Sequence, residues 1–229
     1  MIGQGRRWAA AFAAVMVLAC GDRRPEASAE PGEVVLKIVS DAPAAGGDSM
    51  VVARGTDTIV VRAAELVVRE IIMRHDTLQV APVRLRVPLG PDTVQLVPAA
   101  APAGTYRALR FEIYPPTAER DSAFVASHPE LAGSSVRVMG TISRAGARRP
   151  FVYALDVNEV QEFSLVPVLE VTAGGALPVL LEVDVAQWFL SADGTALIDP
   201  ATASPGGPNA AQVRDNIRTS FAVRVLSSP

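Results

Sequence analysis

Glu182 and Asp184 stand two residues apart in "PVLLEVDV". An extended backbone carries both carboxylates on one face, roughly 7 Å from one another. Two carboxylates converging on one substrate are the machinery of glycoside hydrolysis, but on a wet strand face the same pair keeps a sheet soluble, and that is the plainer use. Asp193 and Asp199 flank the turn in "SADGTALIDP". Their oxygens could serve calcium, or each could close its turn through its own backbone, the reading preferred here. His75 and His128 are the only histidines, and they lie far apart in sequence. A zinc or copper site needs clustered His and Cys, so no metal and no cofactor is expected. Trp188 and Phe189 could form a platform for a sugar ring or a partner's aromatic; anchoring the core where a tail helix docks is the commoner use of such a pair. Arg84 and Arg86, on the outward face of "VRLRVPL", could meet anionic lipid or polysaccharide. Charge that blunts an edge strand gives the same pattern.

The block "GDSM", residues 47–50, resembles the nucleophile motif of the Gly-Asp-Ser-Leu esterases. A serine nucleophile needs a histidine base within hydrogen-bond reach, and that family supplies it from a late Asp-x-x-His. Neither His75 nor His128 has an aspartate three residues before it. A Gly-rich loop is therefore the expectation, with no catalytic residues assigned.

Cys20 is the only cysteine, and it follows a positive pair, Arg6 and Arg7, and an apolar run from Trp8 to Ala19. That run is too short for a hydrocarbon core, which takes about 20 helical residues, and has the order of a secretory signal. Val17-Leu18-Ala19-Cys20 resembles the bacterial lipobox. The resemblance implies cleavage after residue 19, a diacylglyceryl group on Cys20 and acylation of the new N-terminus. Two or more chains anchor stably where one is marginal, so the membrane becomes a partner. Gly21 after the cysteine, with aspartate only at Asp22, points to the outer membrane. Acylation also removes an unpaired thiol from an oxidising compartment, which excludes thiol catalysis and cysteine-based metal sites.

Loss of Arg6 and Arg7 with the leader moves the formal net charge from -3 to -5. No segment is more basic than "ARR" at 147–149, which argues against nucleic acid. Residues 21–33, "GDRRPEASAEPGE", are polar and lack apolar periodicity, as a flexible tether requires.

From Glu33 the chain alternates with period two. The runs are "EVVLKIV", "TIVVR", "AELVVREIIMRH", "VRLRVPL", "TVQLV", "TYRALRFEIY", "SSVRVMGTI", "PFVYALDV", "VQEFSLVPVLEVT" and "PVLLEVDV", punctuated by Gly- and Pro-rich turns. Leu109, Phe111 and Ile113 face one way, Arg110 and Glu112 the other, as in a sheet with one wet face. The pattern predicts a mainly β protein, an antiparallel β-sandwich with one C-terminal helix packed on it. Its divisions are a signal peptide at 1–19, an anchored tether at 20–32, the sandwich at 33–190 and a C-terminal extension at 191–229. The helix is expected over 209–220, with Asn209 and Gln212 as a capping box and Val213, Ile217 and Phe221 as its buried stripe. "FAVRVL" would add a final strand.

"VVLKIVSDAPA" and "APAGTYRALRFEI", with "RAAELVVREIIMRH" between them, resemble bacterial secreted lipoproteins with a transthyretin-like or carboxypeptidase-regulatory-like sandwich domain. The resemblance covers residues 33–185 and implies a fold and an envelope setting, with no activity. The expectation is a lipid-anchored, non-enzymatic envelope protein that binds or scaffolds an envelope protein or polysaccharide. The alternatives are a hydrolase acting on envelope glycan or ester substrates and a calcium-dependent adhesion module.

Overall fold

The computed structural model describes residues 30–40, 49–73, 76–79, 81–89 and 94–226. Cys20 and the leader, Gly47, Asp48 and His75 lie outside them. Two sheets face each other. The first has the order β12-β11-β1-β6, from β12 (Phe221–Val225), β11 (Ala176–Val183), β1 (Gly32–Ser40) and β6 (Val94–Ala101). The second is built on one long strand, β3 (Asp57–Met73). Along one side of β3 run β2 (Met50–Arg54), β5 (Val83–Val87) and β4 (Asp76–Gln79). Along the other run β8 (Val136–Arg144) and then β7 (Gly104–Ile113), which carry β9 (Ala147–Leu155) and β10 (Glu159–Val171) at the two edges.

The mainly β sandwich with a C-terminal helix is thus the architecture, with one departure from a wholly antiparallel arrangement. β1 and β11 pair in parallel, from Glu33↔Ala176 to Ser40↔Val183. The whole second sheet lies between them in sequence, so no tight turn dictates an antiparallel pairing. "TIVVR" and "AELVVREIIMRH" are one strand rather than two. It bulges at Arg62, between the pairs Val61↔Gly140 and Ala63↔Met139, and again near Glu70, whose φ is 52°. Gly140 is required beside the first bulge: a Cβ there would sit 2.2 Å from the Val60 carbonyl oxygen.

Buried residues alternate along β1 (Val34, Leu36, Ile38) and β11 (Val179, Leu181, Val183), and with Leu109, Phe111 and Ile113 of β7 they belong to one core. Two strands, β2 and β4, and a short helix, α1 (Ser122–Ser127), were not anticipated from sequence. The C-terminal helix, α2, spans Ala210–Arg218, shorter than 209–220 at both ends. Val213, Ile217 and, beyond the helix, Phe221 are buried as expected. The capping box is not formed. Asn209 Nδ2 instead donates to Thr202 Oγ1 at 2.8 Å, and Gln212 Nε2 donates to Asn216 Oδ1 at 2.8 Å. The tight turn at Pro200–Thr202 supplies the hydroxyl that Asn209 binds.

Candidate functional site

The outer face of the second sheet can be read row by row from its strand register. Val51 on β2 faces Val60 on β3, then Thr141 on β8, then Pro150 on β9. The next row runs from Arg62 and Ala63 at the bulge to Met139 and Val152. Val152 is 64% exposed and Val51 39%, and Ala53, Pro150 and Ala154 are exposed as well. One wet face was expected on this sheet; here both faces are apolar. The physical reason lies in β2, β3 and β9, where neighbouring residues such as Val51 and Val52, Val60 and Val61, and Phe151 to Leu155 are apolar on both sides of the pleat. Continuous rather than alternating runs are the sequence signal for that.

The border of this apolar field is charged. In the following row Arg86, Glu65 and Arg137 stand side by side on β5, β3 and β8, with Arg84 one step on, opposite Val67. Glu65 is only 1% exposed. Its Oε1 accepts from Arg84 Nη2, its Oε2 accepts from Arg137 Nη1 at 3.3 Å, and Arg86 Nη2 lies 4.0 Å away. Arg84 Nη1 also reaches His128 Nδ1 at 3.3 Å and Glu130 Oε1 at 3.6 Å. Arg86 leaves 70% of its side chain in solvent. Arg148 closes the opposite border, in the row Ala53–Thr58–Ser143–Arg148.

Beyond Glu65 the same face is roofed. The chain leaves β7 at Tyr114 and returns at Ser135, and the β3 backbone clasps both ends: Tyr114 N–H donates to Val67 O at 3.0 Å, and Val67 N–H to Ser135 O at 2.8 Å. Val67, Tyr114 and Leu131 are buried there, apart from the main core. Arg69 grips Glu112 through two bonds, of 2.6 and 3.3 Å, and stacks 3.6 Å above the Tyr114 ring. The Tyr114 hydroxyl donates to Asp121 at 2.8 Å. Burial and that carboxylate raise the Tyr114 pKa above its ordinary value.

The other sequence candidates are occupied elsewhere. Trp188 and Phe189 are 0% and 3% exposed, so they form no surface platform. Trp188 Nε1 donates to Ser220 Oγ at 2.8 Å, Asn216 of α2 holds the Trp188 and Leu190 carbonyls, and Phe189 meets Phe151 and Tyr153 edge to face. That is the core anchor under the helix. Asp193 accepts from Ser191 Oγ and from the Thr195 amide and hydroxyl, which hold its carboxyl down at about 2. Asp199 caps the turn at Pro200 and takes Arg149 at 2.6 Å. Each aspartate closes its own turn, and among the described residues no three acid, His or Cys side chains are grouped to hold a metal. Glu182 pairs with Arg224 at 3.0 Å, and Asp184 caps the turn at Val185–Gln187. His128 joins the Glu65 cluster, and Ser49 and Met50 of the "GDSM" block lead into β2.

Of the candidates named from sequence, Arg84 and Arg86 are the pair at the edge of this face. Arg84, expected outward, turns inward to Glu65, and Arg86 reaches solvent. Glu65 and Arg137 were missed, because a lone carboxylate in a strand reads as a solvent-side residue until its two neighbouring strands are known. No protein-family model, curated protein or solved structure matches the chain.

Proposed function

We propose that the protein is a lipid-anchored component of the bacterial cell envelope, attached at Cys20 to the outer membrane, with a non-catalytic binding or scaffolding role. The transthyretin-like resemblance belongs to the same proposal, as the setting for a sandwich that presents a surface rather than a cleft. The observation that carries the binding role is the outer face of the second sheet. Its rows Val51–Val60–Thr141–Pro150 and Ala63–Met139–Val152 lie open between arginine borders. Exposed contiguous apolar surface rimmed by polar groups marks interaction sites on soluble domains. The anchoring rests on Val17-Leu18-Ala19-Cys20 behind the positive and apolar leader.

Fractionation of cells producing the wild type and Cys20→Ser tests the anchor. The wild type is expected in the membrane fraction after a high-salt wash, labelled by an alkyne fatty acid. Cys20→Ser is expected in the soluble fraction, unlabelled. Salt-resistant membrane recovery of Cys20→Ser would refute acylation at this residue.

A further inference from the structure

We infer that the open half of this sheet face docks on an anionic lipid surface. The inference rests on the binding role proposed above and names the partner of that same face. On the face and its borders the charged side chains are Arg62, Arg84, Arg86, Arg137 and Arg148 against Glu65 and Glu130. The patch is cationic on a chain whose formal net charge is -3. Arg62 and Arg148 are exposed, and Arg86 presents most of its side chain. Arginines close to a surface carrying phosphate headgroups are each attracted to it, and apolar residues between them settle at the acyl boundary.

Two other occupants fit less well. A second copy packed face to face would set these arginines against their own images. A polysaccharide needs a row of hydrogen-bonding side chains, and in the rows Val51–Val60–Thr141–Pro150 and Ala63–Met139–Val152 the one hydroxyl, on Thr141, is buried. The geometry of attachment is compatible. The ten residue steps from Cys20 to Glu30 span at most about 35 Å when extended, enough to round a sandwich whose sheets pack about 10 Å apart. The lipid would hold the protein at the membrane, and the face would set its orientation, with the second sheet against the headgroups and the first sheet outward.

The test is cosedimentation of the mature chain, residues 20–229 with Cys20→Ser, with vesicles of phosphatidylcholine alone or with phosphatidylglycerol added. Removing the lipid attachment separates this result from that of the anchor. Binding is expected only with phosphatidylglycerol and is expected to weaken as salt rises. Arg62→Ala and Arg86→Ala should each lower partitioning about fivefold, and Val152→Asp should lower it further, all with unchanged thermal melts. A folded Cys20→Ser chain that ignores phosphatidylglycerol vesicles would overturn the inference in favour of an acidic protein partner. Equal binding to both vesicle types, indifferent to the arginines, would overturn it as well. Failure of the anchor experiment alone would leave this outcome standing.

Discussion

The long strand β3 meets its surroundings differently on either side of Glu65. Toward its C-terminal end the outer face is ruled by charge ladders, Arg69 beside Glu112 and Arg110 beside Glu162, and is partly sealed by residues 114–135 over Val67. Toward its N-terminal end the same face carries Val60, Ala63 and their neighbours on β2, β8 and β9. In the first half the buried carboxylates are paired, Glu112 with Arg69 and Glu65 with Arg84 and Arg137. Arg84 Nε has no hydrogen-bond partner among the described residues, and Val160, Val166 and Val168 stay exposed on the edge strand β10. The second half keeps apolar area in contact with water, which costs about 25 cal/mol per Å² of surface that could be buried. That composition is what the proposed docking role requires. Glu65 is the seam, held by arginines from β5 and β8, and His128 and Glu130 from the roof meet one of those arginines, Arg84.

The two halves should therefore respond differently to mutation. The largest effect is expected at the seam. Glu65→Leu removes a buried carboxylate from between Arg84 and Arg137, and breaking one side of such a pair costs about 3–5 kcal/mol. Urea unfolding should show it as a lower midpoint, and a loss below about 1 kcal/mol would mean that the arginines simply turn to water. Leu131→Ala, in the roof, removes a fully buried side chain and should cost about 2–5 kcal/mol in the same assay. In the open half, Val152→Thr should shift stability by no more than about 0.5 kcal/mol, although its position in the strand resembles that of a core residue. A larger loss would show that this half is covered by the chain itself. The smallest effect concerns Asp193, away from both halves. Its folded carboxyl titrates at about 2 rather than near 3.8. The stabilisation it provides is complete above the ordinary carboxyl range and is lost as pH falls through about 2. A carboxyl-resolved NMR titration with a midpoint near 3.8 would show that the Ser191 and Thr195 bonds do not hold the ionised form.

Most of the sandwich is legible in the sequence, because Val34, Leu36 and Ile38 or Leu109, Phe111 and Ile113 repeat with the period of a pleat. The stripe of α2 is equally plain, since Val213 and Ile217 recur at helical spacing, although Phe221, read as its third member, opens β12 instead. Three features escape for three physical reasons. β2 is a five-residue strand with apolar residues on both faces, so alternation cannot reveal it. The parallel pairing of β1 with β11 is a long-range choice that no local pattern encodes. The Glu65 cluster assembles side chains from β3, β5, β8 and the roof, and each of them taken alone reads as a surface charge. The candidate site was legible only at Arg84 and Arg86. The bulge at Arg62, which keeps Ala63 opposite Met139 and sets the face beyond it, leaves no mark that turn chemistry would show.

The central claim is that the open half of the second sheet, rather than the rest of the surface, meets the membrane. An environment-sensitive fluorophore placed on Val152→Cys, and separately on Ala222→Cys at the exposed outer side of β12, both in the Cys20→Ser chain, reads this directly. Addition of phosphatidylglycerol-containing vesicles should shift the emission to the blue at position 152 and leave it unchanged at 222. A shift at 222 alone, at both positions or at neither would contradict the account.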